Sequence, residues 1–168
     1  MKNKLFKLMI ILIIFVLTIF AVYYFISKTN LIVQEKTVDL YFATEDAMYL
    51  VPEQRTIRGR NLYLEAVEAL IEGPTNPQLT ITIPEETKVL NISKKDDTIQ
   101  IDFSEEIVKN HWGGSAGERL TVYSIVNTLA QFKGVNKVKI LIEGEEVETL
   151  AGHMDLTIPL EPSQNILK

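Results

Sequence analysis

The chain has 168 residues, no cysteine, and 17 basic against 22 acidic side chains, a formal charge of −5; this excludes a disulfide scaffold and any thiolate metal site. Three of the 17 basic residues, Lys2, Lys4 and Lys7, precede a long apolar run, so 14 face 22 acidic ones in the remainder, a formal charge of −8. That balance argues against nucleic acid or anionic lipid as the main ligand, because both reward a basic face.

The apolar run comes first in the chain. The 19 residues from Leu8 to Ile26 carry no charge and, Thr18 apart, are all apolar or aromatic. At about 1.5 Å per residue a helix of that length reaches roughly 28 Å, the hydrocarbon thickness of a bilayer. Lys2, Lys4, Lys7 and the N-terminal amine stand before it, and only Lys28 follows closely. The positive-inside bias therefore leaves residues 1–7 in the cytoplasm and the remainder outside. A cleaved secretory signal needs a shorter apolar core and small residues at the cut. Tyr23, Tyr24, Phe25 and Ile26 are bulky there, and the tyrosines suit an interfacial belt. The reading is an uncleaved single-pass anchor over 8–26, with a short tether over 27–36.

A domain is expected over 37–160, followed by a C-terminal tail over 161–168. It is large enough to bury a core unaided. Val38, Leu40 and Phe42 alternate with Asp39, Tyr41 and Ala43 as a half-buried strand, and Thr44 to Asp46 turn into a second strand around Met48 to Val51. From Asn61 the spacing becomes helical through Tyr63, Ala66, Val67, Leu70 and Ile71, stopped by Gly73 and Pro74. Leu90 and Ile92 begin a strand that Asp96 and Asp97 turn into Ile99, Ile101 and Phe103. Ser104 is the expected N-cap of a short helix, and Ser115 with Glu118 reads as the capping box of a longer one that ends at Gly134. Val138, Ile140 and Ile142 form the next strand, and Glu146 to Leu160 has room for one more before Pro159 and Pro162 close the domain. These elements predict an α+β fold of ββαββααβ order, with one mixed or antiparallel sheet and two main helices packed on one face.

Chemistry-bearing residues are sparse. Gly113-Gly114-Ser115-Ala116-Gly117 fits the G-x-S-x-G of a hydrolase nucleophile elbow, but no buried strand leads into it. His153 precedes Asp155, the reverse of the acid-then-histidine order. His111 and His153 lack metal-ligand spacing, and Glu143 to Glu148 around Gly144 lack that of a calcium hand. No catalytic residue, cofactor or metal is expected. Arg55, Arg58 and Arg60 would bind an anion or acidic partner, or serve solubility alone. His111 and Trp112, beside two glycines, are candidate contact residues, Trp112 being either a contact or a core plug.

The chain also carries ordered motifs: Leu70-Ile71-Glu72-Gly73-Pro74; Ile83-Pro84; Ile101-Asp102-Phe103-Ser104; Ser124-Ile125-Val126-Asn127-Thr128-Leu129; and Ile142-Glu143-Gly144. In that order they resemble the GerM domain of sporulation and spore germination, over about Val38 to Pro159. The resemblance implies a non-enzymatic extracytoplasmic module of the bacterial cell envelope, with a fold akin to the ring-building domains of secretion and sporulation channels. It implies partners among other envelope proteins or copies of itself, to which the apolar run from Leu8 to Ile26 adds the cytoplasmic membrane. The family's naming protein is a lipoprotein with two such domains, whereas this sequence has one and no cysteine. The alternatives are a small envelope esterase using Ser115 and a binder of cell-wall glycan or small ligands through the Trp112 loop. Protease added to intact protoplasts should digest the domain, and mature protein starting after Ile26 in the medium would disprove the anchor.

Overall fold

The computed structural model describes residues 2–28 and 33–168, so part of the tether expected over 27–36 lies outside the described residues. The chain divides into two compact units, Met1–Gln34 and Glu35–Lys168. In the first, helix α1 (Lys2–Lys28) exposes apolar side chains on every face, among them Leu8, Phe15 and Tyr23. Its Thr18 hydroxyl donates to the Phe15 carbonyl at 2.8 Å, which satisfies the run's one polar side chain without water. The helix is long and apolar enough to cross a membrane, and by length and composition it suits an anchor or a signal sequence.

The second unit opens with a hairpin, β1 (Gln34–Thr44) and β2 (Leu50–Gly59). Asp46 shapes its turn, accepting from the Thr44 hydroxyl at 2.5 Å and the Met48 N–H at 3.1 Å. The second strand runs well past Val51, through Arg55 to Gly59, because alternation there buries only Ile57 and leaves the pattern mostly polar. Helix α2 (Leu62–Glu72) starts where the Asn61 side chain accepts from the N–H groups of Tyr63 and Leu64, and it ends at Gly73, whose φ of +91° suits glycine. The two-residue strand β3 (Leu79–Thr80) joins the hairpin, giving the order β2-β1-β3.

A second sheet, β4-β5-β6-β7, holds the remaining strands. Here β4 (Val89–Lys95) and β5 (Thr98–Phe103) are antiparallel, while β5 and β6 (Lys137–Ile142) run parallel and so need a crossover. The crossover is α3 (Glu106–Lys109) and α4 (Ser115–Ala130). Strand β7 (Glu145–Glu146) follows the turn at Glu143 and Gly144. The α+β class and the order of the long elements are those expected, but the strands form two sheets where one was expected. The reason lies on β1, where strand pairing with β3 covers only Ala43 and Thr44. Farther back, α4 takes the place of a neighbouring strand. Gln131, just past its end, accepts from the Asp39 N–H at 2.8 Å and donates to the Asp39 carbonyl at 2.6 Å, and the Thr128 hydroxyl accepts from the Tyr41 N–H at 3.3 Å.

One core joins both sheets and both main helices, with Leu40, Phe42, Leu70, Ile101, Phe103, Ile125, Leu129 and Ile140 inside it. Residues 161–168 are fastened to it. Ser163 exchanges two hydrogen bonds with the Asn127 side chain at 2.9 Å each, and Leu50 pairs with Leu167 as a parallel bridge. Ser104 is not an N-cap: its hydroxyl accepts from the Lys88 N–H at 3.0 Å, and the short helix begins without a side-chain cap. Replacing Gln131 by Ala should strip both Asp39 backbone groups of partners and lower stability by about 1–3 kcal/mol, read as a urea midpoint.

Candidate functional site

The residues between α3 and α4 form a tight loop. Gly113 and Gly114 both have positive φ, 75° and 77°, and turn the chain into α4 through a backbone conformation that favours glycine. Trp112 is 49% exposed, so it is not a core plug. Its indole lies over Gly117, where an added Cβ would come within 2.8 Å of the indole Cδ1 and Nε1. Only glycine there leaves room for the ring. The His111 imidazole stacks beside it, ring centres 5.3 Å apart and 23° from parallel.

His111 is pinned at both nitrogens. Its Nδ1 accepts from the Gly113 N–H at 2.9 Å, and its Nε2 lies 3.1 Å from the Thr121 hydroxyl. Thr121 donates its own hydrogen to the Thr82 carbonyl at 2.6 Å, so the oxygen must accept from His111, which fixes the neutral tautomer with the hydrogen on Nε2. Burial lowers the imidazole pKa, and the nearby Glu118 carboxylate only partly opposes this.

Glu118 is the fully buried carboxylate one turn into α4. It does not form the expected capping box with Ser115. Gly114 occupies the N-cap position, with no side-chain cap, and the carboxylate points across to residues 149–153. Oε1 accepts from the Thr149 hydroxyl and from the N–H groups of Leu150 at 2.8 Å and Ala151 at 3.0 Å. Oε2 accepts from the His153 N–H at 2.8 Å and lies 3.3 Å from His153 Nδ1. Burial alone would raise the pKa of this acid; the hydrogen bonds of Thr149, Ala151, His153 and Leu150 together outweigh burial and lower it.

The arginines do not join this place as a group. Arg55 turns inward, donating to the Ala69 carbonyl at 3.1 Å and the Gly73 carbonyl at 3.0 Å at the end of α2, and pairing with Glu53 at 2.5 Å. Glu53 in turn accepts from the Thr75 and Asn76 N–H groups, and although burial works against it, these bonds and Arg55 hold its pKa down to about 2. Arg58 is exposed 3.6 Å from Glu35, and Arg60 is exposed just past β2. Ser115 is exposed on the first turn of α4, while the ring nitrogens of His111 are taken and His153 Nδ1 faces Glu118. Among the described residues no group of three or more His, Cys, Asp or Glu is placed to hold a metal ion. Around Gly144 the acids serve the fold: Glu143 accepts from the Glu105 N–H at 3.0 Å, and Asp102 accepts from the Gly144 N–H at 2.8 Å. Two roles escaped the sequence reading, Gly117 as the seat of an indole and Glu118 as the anchor of a distant loop.

Two sheets sharing one core around a largely buried crossover helix define an α+β module. Residues 39–148 match the family described as Germane, sporulation and spore germination, and the chain belongs to that family. No curated protein matches it. Among solved structures, it is similar to the first GerMN domain of the sporulation protein GerM from Bacillus subtilis, with 26% identity, TM-score 0.63, and coverage of 77% of this chain and 98% of that one. The tandem GerMN domains of the same protein match at 23% identity and TM-score 0.63, covering 81% of this chain, which spans about half (48%) of the tandem. A Clostridium perfringens protein described as a lipoprotein matches at 29% identity and TM-score 0.56, covering 76% of this chain and 87% of that one.

Because its folded pKa is depressed, Glu118 contributes stability that is fully present above its ordinary value near 4.5 and is lost as pH falls through the lowered one. Glu118→Gln should therefore lower the urea midpoint at neutral pH, with the gap from the unmodified protein closing once pH drops below about 4.5. Ser115→Ala, removing no cap, should stay within about 0.5 kcal/mol of the parent.

Proposed function

We propose that this chain is a non-catalytic contact module of the bacterial cell envelope. In this reading, residues 1–7 lie in the cytoplasm, 8–26 cross the membrane once, 27–36 form a tether, and the domain over 37–160 works outside with 161–168 as its tail. It binds other envelope proteins or further copies of itself, in assembling an envelope or sporulation and germination complex. The observation that carries the reading is Trp112, half exposed on a glycine seat above a helix that is buried over most of its length from Leu120 onward. A rigid, exposed indole is the kind of side chain that dominates protein contacts, because it brings large area at small entropic cost. His111 stacks on Trp112 and extends the same surface, and Arg58 and Arg60 are exposed cations that would meet an acidic partner.

The family and the absence of any cysteine support the rest. A lipid anchor on cysteine is closed to this sequence, so α1 is the membrane attachment it has to offer. Catalysis at Ser115 is not favoured, since His111 has both ring nitrogens bound elsewhere and cannot serve that hydroxyl as base.

Trp112→Ala should abolish crosslinked capture of envelope partners or of further copies of the chain, while the melting temperature falls by only a few degrees, because the ring is half exposed already. Capture unchanged in that variant would overturn the assignment of Trp112. Binding of cell-wall glycan by the full-length protein, with no protein captured, would overturn the contact-module reading itself.

A further inference from the structure

The two histidines of the chain, 111 and 153, both answer to the one buried carboxylate, Glu118. Their surroundings differ. His153 is 44% exposed with Nδ1 3.3 Å from Glu118 Oε2. His111 has no place for a second ring proton. Its Nε2 hydrogen is committed to Thr121, whose own hydrogen is committed to Thr82, and Nδ1 already receives the Gly113 N–H at 2.9 Å. A proton on Nδ1 would set two N–H donors against each other at that distance. Relief requires the Gly113 peptide or the imidazole to swing away, and Gly113 and Gly114, with nothing within 4 Å of their added Cβ positions, have the space and backbone freedom for it. Trp112 stands between His111 and that glycine pair.

We propose that His111 is a proton-operated latch on the Trp112 loop: neutral, it holds Gly113 and keeps the indole on Gly117; protonated, it lets go of Gly113 and frees the indole from its seat. The direction follows from the closed geometry, in which burial lowers the imidazole pKa while an opened loop returns it to the ordinary value near 6.5. The open form binds more protons, so opening grows as pH falls below about 6.5. The charged group that bears on His111 is Glu118 of α4; near by in the fold, His153 lies across that carboxylate and Glu86 accepts from the side chain of neighbouring Asn110 at 2.7 Å. On its own segment, Lys109 is paired with Glu105. The latch stands without any partner; that it regulates binding rests on the contact reading of Trp112.

Trp112 is the chain's single tryptophan, so indole fluorescence of the full-length protein in detergent micelles reports the seat directly. Between about pH 7.5 and 5 the emission should shift to longer wavelength in one transition centred below 6.5. His153→Gln should keep that transition and His111→Gln should remove it. In the unmodified protein, the NMR titration of the His111 imidazole and the Gly113 amide shift should share the fluorescence midpoint, a check that needs no variant to fold. Flat emission over this range, a transition that follows His153, or a His111 titration that leaves Gly113 unmoved would each overturn the latch. These outcomes are independent of capture by Trp112, so failure of the latch and failure of the contact reading are told apart.

Discussion

From Leu120 onward helix α4 presents almost no face to water, and the polar side chains it buries must be satisfied from within the protein. It does so by reaching for backbone. Gln131 and Thr128 serve β1, Thr121 serves the Thr82 carbonyl, Asn127 holds Ser163 in the C-terminal segment, and Glu118 gathers the loop over 149–153. Segments that share no strand pairing are thus tied to one helix. The division into two sheets is the same fact seen from β1, whose edge groups at Asp39 and Tyr41 find side chains of α4 instead of another strand. An edge closed in that manner is also protected from pairing with a foreign strand.

Electrostatics follow from the same burial. A carboxylate at full burial is stable only if its oxygens are fully engaged, and Glu118 engages both with four backbone or hydroxyl donors and with His153. Glu53 repeats the arrangement at a second place, with Arg55 and the Thr75 and Asn76 amides around it. Both acids hold loops that have little regular structure of their own. The domain thereby converts one buried and one partly buried charge into fixed loop positions, and Glu118, which holds one of those loops, sits in the first turns of α4, next to the loop that carries His111 and Trp112.

At that helix end Trp112 keeps half its surface free, whereas Arg55 is lost to the α2 terminus and Asp102 and Glu143 to backbone groups near Gly144 and Glu105. Membership of the sporulation and spore germination family fits a domain that offers a rigid surface on a stable frame.

The elements themselves were legible in the chain because their signals are local. Alternation at Ile99, Ile101 and Phe103, the helical spacing that begins from Asn61, and the Gly73 and Pro74 stop each depend on neighbours within one turn or one strand, and each appears in the structure. The apolar run of α1 and the family motifs were equally plain, being matters of composition and order. Side-chain roles at Ser104, Ser115 and Glu118 were not. Local rules made caps of them, but Ser104 serves Lys88 and Glu118 serves partners 31 to 35 positions away, which no window of sequence brings together. The same holds for Gly117, whose missing side chain matters only because an indole lies over it. Local spacing and composition thus determined the helices, most strands and the membrane-length helix. Only tertiary packing decided the two-sheet arrangement, the work of Glu118 and the exposure of Trp112, because each depends on which distant backbone groups α4 meets when it is buried.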